Sequence, residues 1–196
     1  MYNDQWCIGG LRLRDWASVR LLPPGLGRAW PTDTPLNVGS VVEVEGARPA
    51  QVVLPHTEDF RISHLVHLGR YTGDLPADIC RNVQVARKGG VPVFEDCLCR
   101  IPPRSLAIRH GKVPNFSTQF WIAHRPLIHE VARERDYFRI GGARVIYVGA
   151  QEPVAVVAAG SLVRLSLARW WAPEDQEEAC YLQVSGWWPP PASGSW

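Results

Sequence analysis

Polar and apolar side chains alternate singly over much of this chain, and a period of two is the mark of half-buried strands. Gly9-Gly10-Leu11-Arg12-Leu13-Arg14 alternates apolar with cationic positions, and Ser40-Val41-Val42-Glu43-Val44-Glu45-Gly46 sets Val against Glu. Val163, Leu165 and Leu167 share one side of a third run, opposite Arg164, Ser166 and Ala168. Tyr181, Gln183 and Ser185 form the outer side of a fourth. The clearest local signal is Tyr137-Phe138-Arg139-Ile140-Gly141-Gly142-Ala143-Arg144-Val145-Ile146-Tyr147-Val148, two alternating runs joined by a glycine pair. Two glycines supply the positive φ angles of a primed turn. A two-residue hairpin follows, with Ile140 facing Ala143, Arg139 facing Arg144 and Phe138 facing Val145. Helix signals are few. The best runs from Pro126 to Arg135 and opens with Pro at a first helical position. Thr57-Glu58-Asp59-Phe60 reads as a helix start or a turn.

Seventeen Gly and seventeen Pro, spread along 196 residues, imply many short elements joined by turns. Pro102-Pro103 falls near the middle and divides the chain into two β-rich parts, each of a size that closes into its own small antiparallel barrel. The expected domains are residues 1–103, residues 104–188 and a Pro/Ser/Gly tail over 189–196, with Trp196 able to dock at its end.

Charge changes this picture locally. The net charge of +2 gives no general attraction to nucleic acid or anionic lipid. Residues 104–150, however, hold eight basic and three acidic side chains, net +5, and nineteen of the chain's basic residues are Arg against only Lys88 and Lys112. No run approaches the ~18 apolar residues of a membrane span, and the first residues carry no leader pattern, so the expectation is a cytoplasmic protein without a membrane partner. The five cysteines, Cys7, Cys80, Cys97, Cys99 and Cys180, are scattered and contain no Cys-x-x-Cys pair, which argues against a disulfide framework.

Several segments, taken in order, resemble the bacterial dual OB domain family, whose members carry two oligonucleotide/oligosaccharide-binding-type barrels in one short chain. In the first half they are Cys7-Ile8-Gly9-Gly10, Trp16-Ala17-Ser18-Val19-Arg20-Leu21-Leu22 and Val38-Gly39-Ser40-Val41-Val42-Glu43-Val44. In the second they are Ser105-Leu106-Ala107-Ile108-Arg109, Tyr137 to Gly142, Leu165-Ser166-Leu167 and Cys180-Tyr181-Leu182. The resemblance implies architecture more than activity: a mainly β chain of two small OB-like barrels in tandem with few short helices, and a nucleic-acid role by analogy of fold. The stretch from Gln119 to Arg135 departs from the family's pattern, so no local function transfers there.

Candidate chemistry gathers on the basic second half. The hairpin register places Arg139 opposite Arg144 with Tyr137 on the same face, and like charges so placed repel unless an anion lies between them. A phosphate held by two guanidinium forks beside a stacking aromatic is one answer; neutralisation by Glu130, Glu134 or Asp136 is the other. Arg164, Arg169, Trp171 and Tyr181 form a second group. Adjacent Trp residues on a strand point to opposite faces, so one of Trp170 and Trp171 is expected outside the core, and one of Trp187 and Trp188. Such a ring stacks bases, or closes a core or a seam. In the first half, Arg12, Arg14 and Arg20 are expected across from Glu43 and Glu45 as cross-strand ion pairs. His64-x-x-His67, Cys97-x-Cys99 and His124-x-x-x-x-His129 match no zinc spacing, and nucleotide-loop, nucleophile-elbow, metalloprotease and deaminase motifs are missing, so neither a metal, a cofactor nor catalysis is expected. His56-Thr57-Glu58-Asp59 places a base near carboxylates but reads equally as a helix start. The sequence therefore points to a non-enzymatic binding module for single-stranded or structured nucleic acid through Arg139, Arg144, Tyr137, Arg164, Arg169, Trp171 and Tyr181. The alternatives are a protein-interaction adaptor with an exposed Trp/Arg interface, and a small-molecule sensor or enzyme with a pocket between the barrels.

Overall fold

Alternation governs the fold, and the one strong helix start is Asp74, whose side chain accepts from the Ala77 amide ahead of an eight-residue helix, α1 (Leu75–Asn82). The computed structural model describes residues 5–25, 27, 30–31, 33–173, 177–192, 194 and 196, with side chains from residue 7 onward. Two compact units result, Met1–Val83 and Gln84–Trp196.

In the first unit β1 (Gln5–Trp6) pairs with β4 (Trp30–Pro31), and a separate four-stranded sheet takes the order β2 (Ile8–Leu11), β3 (Ser18–Leu22), β6 (Asp59–Arg70), β5 (Ser40–Ala47). The β3–β6 pairing is parallel and the other two are antiparallel. Across the parallel pair Arg20 meets Asp59 in register, and its Nε donates to the Asp59 carboxylate at 2.5 Å in a nearly buried setting. The first alternating run stops at Leu11. Arg12 and Arg14 lie in the turn that follows, where Arg12 binds Asp15 at 2.6 Å, so they do not share a strand face. Glu43 and Glu45 are likewise not across from these arginines: β5 pairs with β6, which sets them opposite Val66 and His64. Residues 57 and 58 form a turn, and Asp59 already begins β6. Because β6 is a strand, His64 and His67 fall on opposite faces.

The second unit holds a nine-stranded sheet in the order β13 (Val156–Val157), β10 (Leu127–Ala132), β11 (Arg135–Ile140), β12 (Ala143–Tyr147), β15 (Ala179–Trp188), β14 (Leu162–Leu167), β9 (Thr118–Ile122). Beside this path β8 (Ser105–Arg109) pairs with β15 and with β7 (Cys99–Ile101). Its core gathers Ile108, Trp121, Leu127, Phe138, Val145, Val163, Leu165, Leu167, Leu182 and Val184 from the strands, together with Phe94 from the short turn at Val93–Asp96. The mainly β class is as expected, with one main sheet in each unit and the short β1–β4 pair beside that of the first. Closure of either sheet into a barrel is not among the pairings of the described residues.

Two further expectations are corrected. The segment from Pro126 to Arg135 is not a helix: Leu127, His129 and Val131 alternate with Ile128, Glu130 and Ala132 along β10, and Arg133 and Glu134, at φ 50° and 59°, turn the chain into β11. A Pro start and a good helical composition lose here to cross-strand pairing. The division between units falls at Val83/Gln84, twenty residues before Pro103, because residues 84–103 bond to second-unit strands. Ala86 bridges Trp121, and the Phe94 amide donates to the buried Gln119 side chain at 2.7 Å. At the C-terminus, Trp196 docks by donating from Nε1 to the Gly160 carbonyl at 2.8 Å. The rest of the expected tail is described except at positions 193 and 195, which lie outside the described residues.

Candidate functional site

The β11–β12 hairpin has the register read from its glycine pair. Gly141 and Gly142 stand at φ 53° and 80°, and Arg139 faces Arg144. β10 runs alongside and sets Glu130 opposite Tyr137. From that position the Glu130 carboxylate reaches both arginines, one oxygen accepting from Arg139 Nη2 and the other from Arg144 Nε at 3.2 Å. The Arg144 guanidinium also lies 5.6 Å from the centre of the Tyr137 ring. Of the two answers the register left open for this pair, neutralisation from within the chain is the one present: the anion between Arg139 and Arg144 is Glu130. Asp136, another of the three candidate carboxylates, pairs instead with His129 Nε2 at 2.8 Å.

The hairpin formed by β7 and β8 brings in two arginines that the sequence reading missed. Arg100 Nη2 donates to the Gly141 carbonyl at 2.6 Å, and the Arg144 amide donates to the Arg104 carbonyl at 2.7 Å. Both side chains are exposed. The guanidinium groups of Arg100, Arg139 and Arg144 thus meet at the β11–β12 hairpin, Arg104 is tied to the same hairpin through its backbone with its side chain exposed, and Glu130 is the one carboxylate bonded to these arginines among the described residues. The four arginines and Glu130 together carry a formal charge of +3. Nothing in the spacing of Arg100 to Arg144 announces the association, because it depends on β8 crossing from β15 to the edge of β12; the cations flanking Pro102-Pro103 were the available hint.

The remaining expected residues divide. Trp171 is 50% exposed and its ring lies 5.7 Å from that of Tyr181. Tyr181, although on the outer side of β15, packs against a small satellite core of Ile101, Ala107 and Ala179 under the β7–β8 hairpin. It is a supporting residue there and not an open stacking platform. Trp170 turns the other way, into the main core, and stacks on His110 with ring centres 4.0 Å apart. Trp187 packs on the core while Trp188 meets the buried Phe120. Arg164 donates to the Ser185 hydroxyl at 2.9 Å, and it lies beside Gly186, five residues along β15 from Tyr181, so it does not join the hairpin group. Arg169 is engaged within the chain as well.

Beneath this surface Tyr147, on the inner side of β12, donates to the Gln151 carbonyl at 2.8 Å, and burial pushes its phenol up to about 12. Burial also raises the Cys97 thiol. No cluster of three or more metal-ligating side chains occurs among the described residues, and none of their helices is long and apolar enough to cross a membrane. Comparison with protein families, with curated proteins and with solved structures finds no match to this chain.

Proposed function

We propose that this protein is a non-enzymatic tandem OB-like module of the dual OB domain kind, and that its second unit binds single-stranded or structured nucleic acid. The observation that carries this reading is that two hairpins bring Arg100, Arg104, Arg139 and Arg144 to one end of the sheet, where the single carboxylate bonded to any of them among the described residues is Glu130, shared by Arg139 and Arg144. A polyanion meets an excess of three positive charges there, and fork-shaped donors suit phosphate oxygens. The site differs from the one read in the sequence. Arg139 and Arg144 are bridged from within, so Arg100 and Arg104 make the first contacts.

The strand order supports the OB-like part of the reading. A meander, β10-β11-β12, is followed by a parallel partner, β15, and an antiparallel one, β14, and the first unit repeats the later part of this order as β2-β3-β6-β5. A Greek-key sheet of this kind presents the face of its second and third strands to oligonucleotides, and here that face carries Tyr137, Arg139 and Arg144.

The test is fluorescence anisotropy with a labelled single-stranded oligonucleotide. Removing Arg100 and Arg104 together is expected to flatten the plot of log K against log[salt] by about 1.4, at roughly 0.7 for each phosphate neutralised on a single strand. An unchanged slope would remove these residues from the interface. The half-exposed Trp171 ring favours a second reading, a protein-docking surface; in that case Trp171→Ala weakens partner binding while oligonucleotides fail to bind the parent chain at low salt.

A further inference from the structure

The first unit ends its sheet on a bare edge. β5 is eight residues long and, among the described residues, pairs on one side only, with β6. Long free edges invite another strand, and charge is the usual means of limiting which strand is accepted. On β5 the charges are Glu43 and Glu45, both exposed and both on one face, with Val66 and His64 opposite them. Neither carboxylate has an ion pair among the described residues. Farther along β6, Leu68, which falls at a register shift between the two strands, is 60% exposed. The end of β5, the facing residues Arg61 to Ser63 of β6 and the loop at Pro24 and Gly25 border an open groove of about 860 Å³. That wall is held in place by Arg61, whose Nη1 donates to the carbonyls of Pro23, Gly25 and Gly27.

We infer that the free edge of β5 is a strand-addition site for an extended, basic peptide segment of a partner protein. Main-chain hydrogen bonds to the edge supply affinity, and alternate side chains supply selection. Cations at every second position of the added strand lie opposite Glu43 and Glu45, where opposite charges stabilise the pairing. A second copy of β5 is disfavoured as the occupant. Any antiparallel register that keeps the faces aligned near the strand's centre sets Glu43 or Glu45 against a glutamate of the copy, and like charges directly opposite destabilise the pairing. This site lies in the first unit and does not depend on the nucleic-acid reading of the second.

The probe is a synthetic peptide of eight residues, matching β5, that alternates Lys and Val; a Glu/Val peptide and a Lys/Val peptide methylated at alternate amides are the controls. The expected result is slowed amide exchange over residues 40–47 with the Lys/Val peptide and with neither control. Calorimetry is expected to show binding about tenfold weaker to the Glu43→Gln/Glu45→Gln variant, and a preference reversed toward the Glu/Val peptide in Glu43→Lys/Glu45→Lys. The charge-neutral variant keeps the measurement meaningful if the reversed one folds poorly. Absence of binding, protection confined to other strands, or equal affinity for the parent and the Gln variant would each overturn the inference.

Discussion

Replacing Glu130 by Gln is the perturbation whose two consequences pull in opposite directions. The carboxylate is 19% exposed and bonds Arg139 and Arg144, which are 55% and 39% exposed. With both arginines more than a third exposed, solvent screens each pair, and each contributes about 0.2 to 1 kcal/mol. Removing the charge also leaves the two arginines directly opposite each other across the ladder, a repulsion of a few tenths of a kcal/mol upward. The sum is a destabilisation of about 1 to 2 kcal/mol in the second unit. It is to be read by urea unfolding followed through amide exchange of β10, β11 and β12, since the two units need not unfold together. The same substitution frees both guanidinium groups for phosphate. Oligonucleotide binding is expected to tighten several-fold, and the salt slope to steepen by about 0.7 for each additional phosphate neutralised. A variant as stable as the parent would show that Glu130 is not the effective counter-ion. A less stable variant with unchanged oligonucleotide affinity would show that Arg139 and Arg144 serve the hairpin alone.

Two further outcomes check the fold beneath the sites. Tyr147 ionises near 10 when the chain is unfolded and at about 12 when folded, so the stability it supplies is complete below pH 10 and is lost as the pH rises toward 12. Tyr147→Phe is expected to remove that component of alkaline unfolding and to cost about 1 kcal/mol at neutral pH through the lost bond to Gln151, both read by denaturation at several pH values; an unaltered alkaline profile would contradict the buried setting. Gly46→Ala drives a Cβ onto the Arg61 carbonyl oxygen with the Ile62 Cα 2.8 Å away, and because both neighbours are backbone the first unit is expected to lose about 1 to 3 kcal/mol in urea unfolding, whereas a neutral result would mean that the β5–β6 approach is looser there.

Where side chains alternate over a full strand, the pattern alone carried the structure. The Val163–Leu167 and Cys180–Ser185 runs, the Gly141-Gly142 hairpin and the pairing of Arg139 with Arg144 all follow from a period of two and one turn rule. The pattern misled where a local signal competed with pairing. Pro126 resembles a helix start, yet β10 is held by partners on both edges, β11 and β13, which lie later in the chain. Register along one hairpin was legible, but pairing between distant strands was not. Hence Glu43 and Glu45 were matched with arginines of another strand instead of with β6, and Arg100 and Arg104 went unnoticed until β7 and β8 carried them to a hairpin some forty residues away. The neutralising role of Glu130 belongs to the same class, since it becomes visible only when β10 is a strand.

The most direct test is the salt dependence of binding between the unmodified chain and a single-stranded oligonucleotide. A gathering of arginines in charge excess over one glutamate implies measurable binding at low salt and a straight line of log K against log[salt], with a slope near −2 for about three neutralised phosphates. Binding that ignores salt, or no binding at the lowest salt that keeps the protein in solution, would contradict the account.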